Sequence, residues 1–369
     1  MRVLVDPEAF RHGRCGPTRF YAAVCRGLRA AGVEVDLPLI ASGTDYMPAR
    51  LRLDRVRPGP LRDRLSWWSG RLSRRLYHRH LASGRHDVVL PTSMQHDTDF
   101  LEHARETPFL LVCHDTMRSL PIPGGAIDAW ADPVHRLLYL ARRAARVVCI
   151  SEATRRDLLT SIPLPPERVS VIPHANLLPL WAPTGAAVPG LPARFLLFVG
   201  SRQARKNFDG TVRALAPLFR RDDEIRLVCT GRLNVWERDF LDSLGLSESV
   251  VGLELADPEL VTAYERALGL VFPTFYEGFG LPVVEAMALG CPVITSNVSS
   301  LPEVAGDAAL LVDPTHHAAL LAAATRLVDD PTLRTSLSTA GRERAGRFTF
   351  DAMMAGLLEQ LRAAAASRR

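Results

Sequence analysis

Short apolar runs alternate with longer segments of helical period along almost the whole chain. Runs of this kind, bounded by polar and turn residues, read as fully buried parallel strands, and the segments between them as crossover helices. The pattern predicts strands near 2–5, 34–40, 87–91, 109–113, 146–150 and 169–172. A second series is predicted near 195–199, 225–230, 249–253, 268–272, 292–295 and 309–312, with helices over 315–346 and 350–366 closing the chain. Between the two series, residues 179–192 hold Pro179, Pro183, Gly185, Pro189, Gly190 and Pro192, a composition that ends regular structure. The chain therefore divides into an N-terminal domain, 1–178, a linker, 179–192, and a C-terminal domain, 193–349, with 350–369 expected to pack back on the first domain. Both domains read as α/β, with parallel sheets and helices on both faces. In such sheets ligands bind beyond the carboxyl ends of the strands, so chemistry is expected in the loops that follow strands and face the cleft between domains.

Composition changes this picture in three places. At 369 residues and 47% apolar the chain can bury two cores, yet no stretch approaches the roughly 18 unbroken apolar residues of a membrane span. Asp6 interrupts the first apolar run, so a secretory leader is not expected and a cytoplasmic address is. The six cysteines form no C-x-x-C pair and suggest neither a disulfide framework nor a zinc site. Charge is local: residues 50–86 carry eleven arginines against two aspartates, a net +9, whereas the whole chain is +5. The same segment holds Trp67, Trp68 and Tyr77, a mixture suited to the surface of an anionic membrane rather than to nucleic acid. A solvated, arginine-rich helix face is the plain alternative. Lysine occurs once, at Lys206.

Two constellations carry candidate chemistry. Strand 268–272 runs into a loop with Gly278 and Gly280, then into a helix with Pro282 in its first turn. Backbone can approach a ligand closely there, and the N–H groups and dipole of the helix end favour an anion. Glu277 lies in the glycine-bounded turn and Glu285 one turn into the helix, so their carboxylates reach different parts of one elongated ligand and suit sugar hydroxyls better than phosphate. Glu285 on a solvated helix face is the alternative. In the second constellation the apolar run 195–199 ends at Gly200, and Arg205 and Lys206 stand at the start of the next helix.

The E-x7-E spacing lies within Glu277-Gly-Phe-Gly-Leu-Pro-Val-Val-Glu-Ala-Met-Ala-Leu-Gly-Cys-Pro-Val-Ile-Thr-Ser296, followed by Ser299-Ser-Leu-Pro-Glu-Val-Ala-Gly-Asp-Ala-Ala309 and Val312-Asp-Pro314. This text resembles glycosyltransferase family 4. The resemblance implies the GT-B architecture of two facing Rossmann-like domains. It implies that Glu285 binds the donor ribose hydroxyls, that Glu277 lies by the transferred sugar, and that the amides of Phe279, Gly280 and Leu281, beside Gly278, cradle the diphosphate. Gly200-Ser-Arg-Gln-Ala-Arg-Lys-Asn207 resembles the family's G-x-x-x-x-R-K-N, so Arg205 and Lys206 would bind the donor phosphates. A fixed cation there stabilises the charge that builds on the diphosphate as its bond to the sugar breaks. Arg202 is a lesser candidate.

In the first domain, Gly13-Arg-Cys-Gly-Pro-Thr-Arg-Phe-Tyr21 resembles the family's G-I-G-R-Y loop, with Gly16 retained and Pro17 and Thr18 where isoleucine and glycine are usual. His114, directly after 109–113, holds the place of a histidine beside the donor sugar, with backbone capping as the alternative. Ser151-Glu152 is similar to a family turn that also reads as a helix cap. The D-x-D of Asp97-Thr-Asp99 belongs to a different transferase architecture and is discounted. Adjacent His316 and His317 point about 100 degrees apart and cannot grip one ion. The resemblance thus implies a retaining, metal-independent enzyme that moves a hexose from a nucleoside diphosphate sugar to a glycan or lipid-linked hydroxyl, with no further cofactor. The leaving diphosphate would itself deprotonate the acceptor on the same face. The 299–309 text is most similar to bacterial mannosyltransferases of surface polysaccharide and lipopolysaccharide assembly. That makes GDP-mannose the expected donor, ahead of dTDP-rhamnose and UDP-sugars, and places the protein in the cytoplasm, peripheral on the inner face of the membrane. A sugar-nucleotide epimerase of the same fold and a non-catalytic nucleotide-sugar binding protein are the alternatives.

Overall fold

The computed structural model describes all residues except 12, 14, 93–97, 105, 117–130, 181–184 and 369, and the backbone alone of 54 and 131–134. The described residues form two compact units, 1–116 with 131–173 and 350–368, and 174–349. The division falls at 173/174, ahead of the proline-rich segment 179–192. Within the second unit the Thr262 hydroxyl donates to Ala186 O (2.9 Å) and Asn176 N–H to Phe348 O (3.2 Å), which ties the start of that unit to its own body.

In the first unit the chain runs β1 (Arg2–Val5), α1 (Gly16–Ala30), β2 (Glu34–Asp36), β3 (Ala41–Ser42), β4 (Leu51–Arg52), α2 (Pro60–Ala82), β5 (Val88–Leu90), α3 (Phe100–Ala104), β6 (Leu110–Cys113), α4 (Ala131–Arg143), β7 (Arg146–Cys149), α5 (Glu152–Ser161) and β8 (Val169–Val171). Strands β2-β1-β5 and β6-β7-β8 are parallel sets, joined by a parallel bridge between Val89 and Phe109. Leu4, Val89, Leu111 and Val147 of the sheet are buried with Leu81, Leu137, Leu140 and Leu158 of the helices. Each such side chain contributes about 1.5–3 kcal/mol over its exposed state.

The second unit runs β9 (Phe195–Phe198), α6 (Phe208–Arg221), β10 (Arg226–Thr230), α7 (Val235–Ser243), β11 (Val250–Leu253), α8 (Asp257–Arg266), β12 (Gly269–Phe272), α9 (Leu281–Ala288), β13 (Val293–Ser296), α10 (Leu301–Ala305), β14 (Leu310–Val312), α11 (His317–Asp329) and α12 (Pro331–Ala345). Its described strands are all parallel in the order β11-β10-β9-β12-β13-β14, the doubly wound order whose winding reverses between β9 and β12. The last helix, α13 (Phe350–Ala366), belongs to the first unit and lies against β5, β6 and β7, as the sequence led us to expect.

Differences from the sequence expectation have local causes. The strand expected over 34–40 stops at Asp36, because Pro38 has no N–H for a ladder. The helix expected over 315–346 is two: Pro331 opens α12 and the Asp330 carboxylate accepts from Leu333 N–H (2.9 Å), so a new helix is capped where the old one ends. Two-residue strands β3 and β4 are too short to leave a period. Five cysteines are buried and Cys15 is exposed; burial pushes the Cys25, Cys229 and Cys291 thiols up to about 12 and makes them inert. Among the described residues no helix is long and apolar enough to cross a membrane.

Candidate functional site

At the point where the winding of the second sheet reverses, the loop after β9 meets the loop after β12. A 3-10 turn, Ala204–Lys206, follows β9, and Asn207 ends it in the left-handed region (φ 58°) before α6 begins. The Asn207 amide donates to Pro273 O (3.1 Å) beyond β12 and to Pro314 O (2.8 Å) beyond β14, so one side chain gathers three strand ends. Phe275 N–H donates to Arg205 O (2.9 Å), which adds a backbone tie between the same two loops. These bonds bring Glu277 between the two basic residues. Its Oε1 lies 2.6 Å from Lys206 Nζ and 3.0 Å from Arg205 Nη1. Lys206 is 7% exposed, its ammonium 4.7 Å above the Phe272 ring. The turn carrying Glu277 is held from behind: its N–H donates to Ser299 Oγ (3.1 Å), and the Ser300 hydroxyl donates to its carbonyl (2.8 Å). Two cations on one carboxylate leave the largely buried trio with a net positive charge, and an anion is attracted there more strongly than in water.

Glu285 is not on a solvated face. It is 4% exposed in α9, and Tyr264 of α8 donates its hydroxyl to Oε2 (3.0 Å), which orients the carboxylate. Gly280 precedes α9 with φ 101°, and a Cβ there would lie 2.6 Å from Leu301, so turn and packing both require glycine. Pro282 has no N–H and that of Val283 turns back to Gly280 O (2.9 Å), so donors for an anion at this helix end come from residues ahead of Pro282. Phe279 is 3% exposed, its ring edge-on to His174 (5.6 Å) and Phe348 (5.4 Å). Its side chain is part of the packing. Gly278 and Leu281 complete the loop, the first buried and the second half-buried.

His114 and Gly16 lie in the first unit. His114, at the end of β6, accepts or donates through Nε2 to the Tyr21 hydroxyl (3.1 Å) and packs edge-on against Phe20. Burial, then Asp6 and Cys113, push the Tyr21 phenol upward, so it stays protonated, and the His114 tautomer sets which of the two donates. Gly16 opens α1, with Pro17 in its first turn, where a missing N–H costs nothing. Thr18 and Arg19 are buried inside the helix; the Thr18 hydroxyl donates to Ala9 O (3.0 Å). Arg202 is spent on structure, bonding Glu237 Oε1 (2.6 Å) and the carbonyls of Thr230 and Arg232. Ser151 caps α5 through Thr154 N–H (2.9 Å). Asp97 lies outside the described residues, while Asp99 pairs with Arg74; His316 and His317 are exposed. On α2, Leu61, Trp67, Trp68 and Leu72 are exposed beside exposed Arg64, Arg71, Arg75 and Arg79.

Sequence reasoning missed Asn207, Tyr264, Ser299 and Ser300 as builders of the site and Tyr21 as the partner of His114. Asn207 and the two serines stood inside quoted motifs; nothing at Tyr264 or Tyr21 signalled a partner so far along the chain.

Comparison with known proteins bears on both units. Residues 15–175 match the model described as Glycosyltransferase Family 4, and residues 189–344 that of Glycosyl transferases group 1. The chain is similar to MMP alpha-(1->4)-mannosyltransferase of Mycolicibacterium hassiacum, 31% identical over 63% of this chain and 59% of the relative. It is also similar to O-antigen chain mannosyltransferase B of Escherichia coli, 32% identical over 56% of this chain and 58% of the relative. The matches thus span less than two thirds of these relatives' length. Among solved structures, sucrose-phosphate synthase of Thermosynechococcus elongatus aligns with a TM-score of 0.71 at 23% identity, over 98% of this chain and 99% of that one. The fold is that of the GT-B glycosyltransferases. With a family model on each unit and the loops after β9 and β12 joined around Glu277, the chain belongs to glycosyltransferase family 4.

Proposed function

We propose that the protein is a glycosyltransferase that moves a hexose from a nucleoside diphosphate sugar to the hydroxyl of a glycan or glycolipid. The observation that carries this reading is the convergence of Lys206 and Arg205 on Glu277 at the switch point of the second sheet. The donor diphosphate takes the place of the Glu277 carboxylate on the two cations. Glu277, released, accepts hydrogen bonds from hydroxyls of the transferred sugar, while Glu285, oriented by Tyr264, accepts from the ribose. As the bond to the sugar breaks, Lys206 and Arg205 neutralise the charge that develops on the leaving diphosphate, a stabilisation greater in the transition state than in the ground state. Two side-chain cations in this place support a metal-independent reaction. Glu277, engaged by hydroxyls of the transferred sugar, is given no role as nucleophile, and the proposed course is retention through same-face attack, the diphosphate taking the acceptor proton.

Mannose from GDP-mannose is the proposed donor group, supported by the mannosyltransferase names of two of the relatives. The acceptor is a glycan or a lipid-linked one, and the exposed tryptophans and arginines of α2 support work at the cytoplasmic face of an anionic membrane. A thermal-shift screen against GDP, UDP, dTDP and their sugar conjugates, followed by product analysis with and without acceptor, tests the reading. Stabilisation by GDP-mannose and transfer only with acceptor are expected. Epimerised donor without acceptor would point to an epimerase; no response to any nucleotide would overturn the donor site.

A further inference from the structure

Away from the switch point, in the first unit, three metal-competent side chains from separate elements meet. Asp36 ends β2, His80 lies in the last turn of α2, and His86 lies in the connection to β5. Gly84, at φ 63°, reverses the chain after α2 and brings His86 back beside His80, the two rings stacked 5.9 Å apart at 22°. His80 Nδ1 and His86 Nε2 approach the same oxygen, Asp36 Oδ2, at 2.8 and 3.0 Å, and the three donor atoms all lie within 4.8 Å of one another. The loop is held before any ligand arrives: Arg368 of the chain's end donates to His86 O (2.9 Å) and to Gly84 O (3.0 Å). Burial works against the Asp36 carboxylate, but the hydrogen bonds from His86 and His80 outweigh it and hold the group below its ordinary value, ionised at neutral pH.

We propose that Asp36, His80 and His86 form a zinc-binding site that fastens the end of α2 to the edge strand β2. Two imidazoles and a carboxylate are borderline ligands that favour Zn²⁺ over Mg²⁺ or Ca²⁺. Zinc bonds of about 2.0–2.1 Å in tetrahedral array set neighbouring donor atoms roughly 3.3 Å apart, so each imidazole–carboxylate distance has to open by only a few tenths of an ångström. His80 and Asp36 side chains are 37% and 21% exposed, which leaves water access to a fourth position. Two features set the affinity at micromolar rather than nanomolar. His86 Nδ1 is buried without a hydrogen-bond partner among the described residues, where tight sites supply one, and the Arg2 guanidinium stands 3.6 Å from the same Asp36 oxygen. The site lies outside the machinery proposed for sugar transfer, and its test does not depend on that activity.

Untagged protein is titrated with Zn²⁺ by calorimetry and with Co²⁺ by visible absorption, beside His80→Ala and Asp36→Asn. The expected result is saturable binding at one ion per chain, a Co²⁺ band of four-coordinate intensity, and affinity weakened by more than roughly tenfold in each variant. His80 is half-exposed, so its variant is expected to keep the wild-type melting temperature without metal, and the Co²⁺ band on wild type needs no variant at all. Absence of saturable binding or of the Co²⁺ band in wild type, or equal affinity in folded His80→Ala, would overturn the proposal; the last would place the ion elsewhere.

Discussion

The two units use closely similar sheets differently. In the second, every candidate site residue is fastened by another: Asn207 to two carbonyls, Glu277 to two cations and two serines, Glu285 to Tyr264. In the first, His114 bonds the Tyr21 phenol and packs against Phe20, and the most distinctive surface is α2, whose tryptophans and arginines face outward. The contrast follows from what each must recognise. A diphosphate is small, rigid in its demands and the same for every donor, so its site is pre-organised by buried polar bonds. Acceptors and surfaces are extended and varied, and are met by exposed side chains on a helix.

The sharpest way to break this comparison is Lys206→Arg. A guanidinium cannot replace a compact ammonium in a buried pocket, so kcat is expected to fall on the order of 100-fold; near-wild-type turnover would remove Lys206 from the phosphate site. Next, Glu285→Ala is expected to weaken binding of the free nucleoside diphosphate by about tenfold, the worth of charge-assisted hydrogen bonds, while Glu277→Gln, which loosens the grip on both cations, tightens it. Equal affinity in Glu285→Ala and wild type, measured by calorimetry, would undo the ribose assignment. His114→Ala is expected to lower turnover by a smaller factor and leave nucleotide affinity unchanged, because it belongs to the other unit. A change in nucleotide Kd would erase the distinction between units. The mildest expected effect is that of Trp67→Ser with Trp68→Ser: loss of sedimentation with anionic vesicles, with transfer to a water-soluble acceptor unaltered. Vesicle binding indifferent to salt or to lipid charge would count against the arginine face.

Strand positions were legible because a buried parallel strand has no polar face, so each run of β9, β12 or β13 stands out against amphipathic helices. The break at Pro331 was also written in the chain and was overridden by the apolar period on either side. Within the site, Lys206 and Glu277 were legible one at a time, as a basic residue after one strand and a carboxylate after another. Their contact was not, because a distance of 2.6 Å between positions 71 apart is a product of strand order, and strand order leaves no period in a sequence. The burial of Glu285 was hidden for a related reason: its partner Tyr264 lies on the preceding helix, and the spacing of α9 alone allowed a solvated face. The Asp36, His80 and His86 cluster shows the same limit, since its members have no motif spacing and meet only through the turn at Gly84.

The one lysine of this chain lies at the switch point, which makes it a chemical handle on the site. Besides the α-amino group, an amine-directed reagent meets a single target, and that target sits 7% exposed against Glu277. Acylation at Lys206 is therefore a chemical gauge of the crevice: slow while the ammonium is paired and covered, and slower again when an anion fills the space, so that mass spectrometry of one peptide reads occupancy without following any reaction.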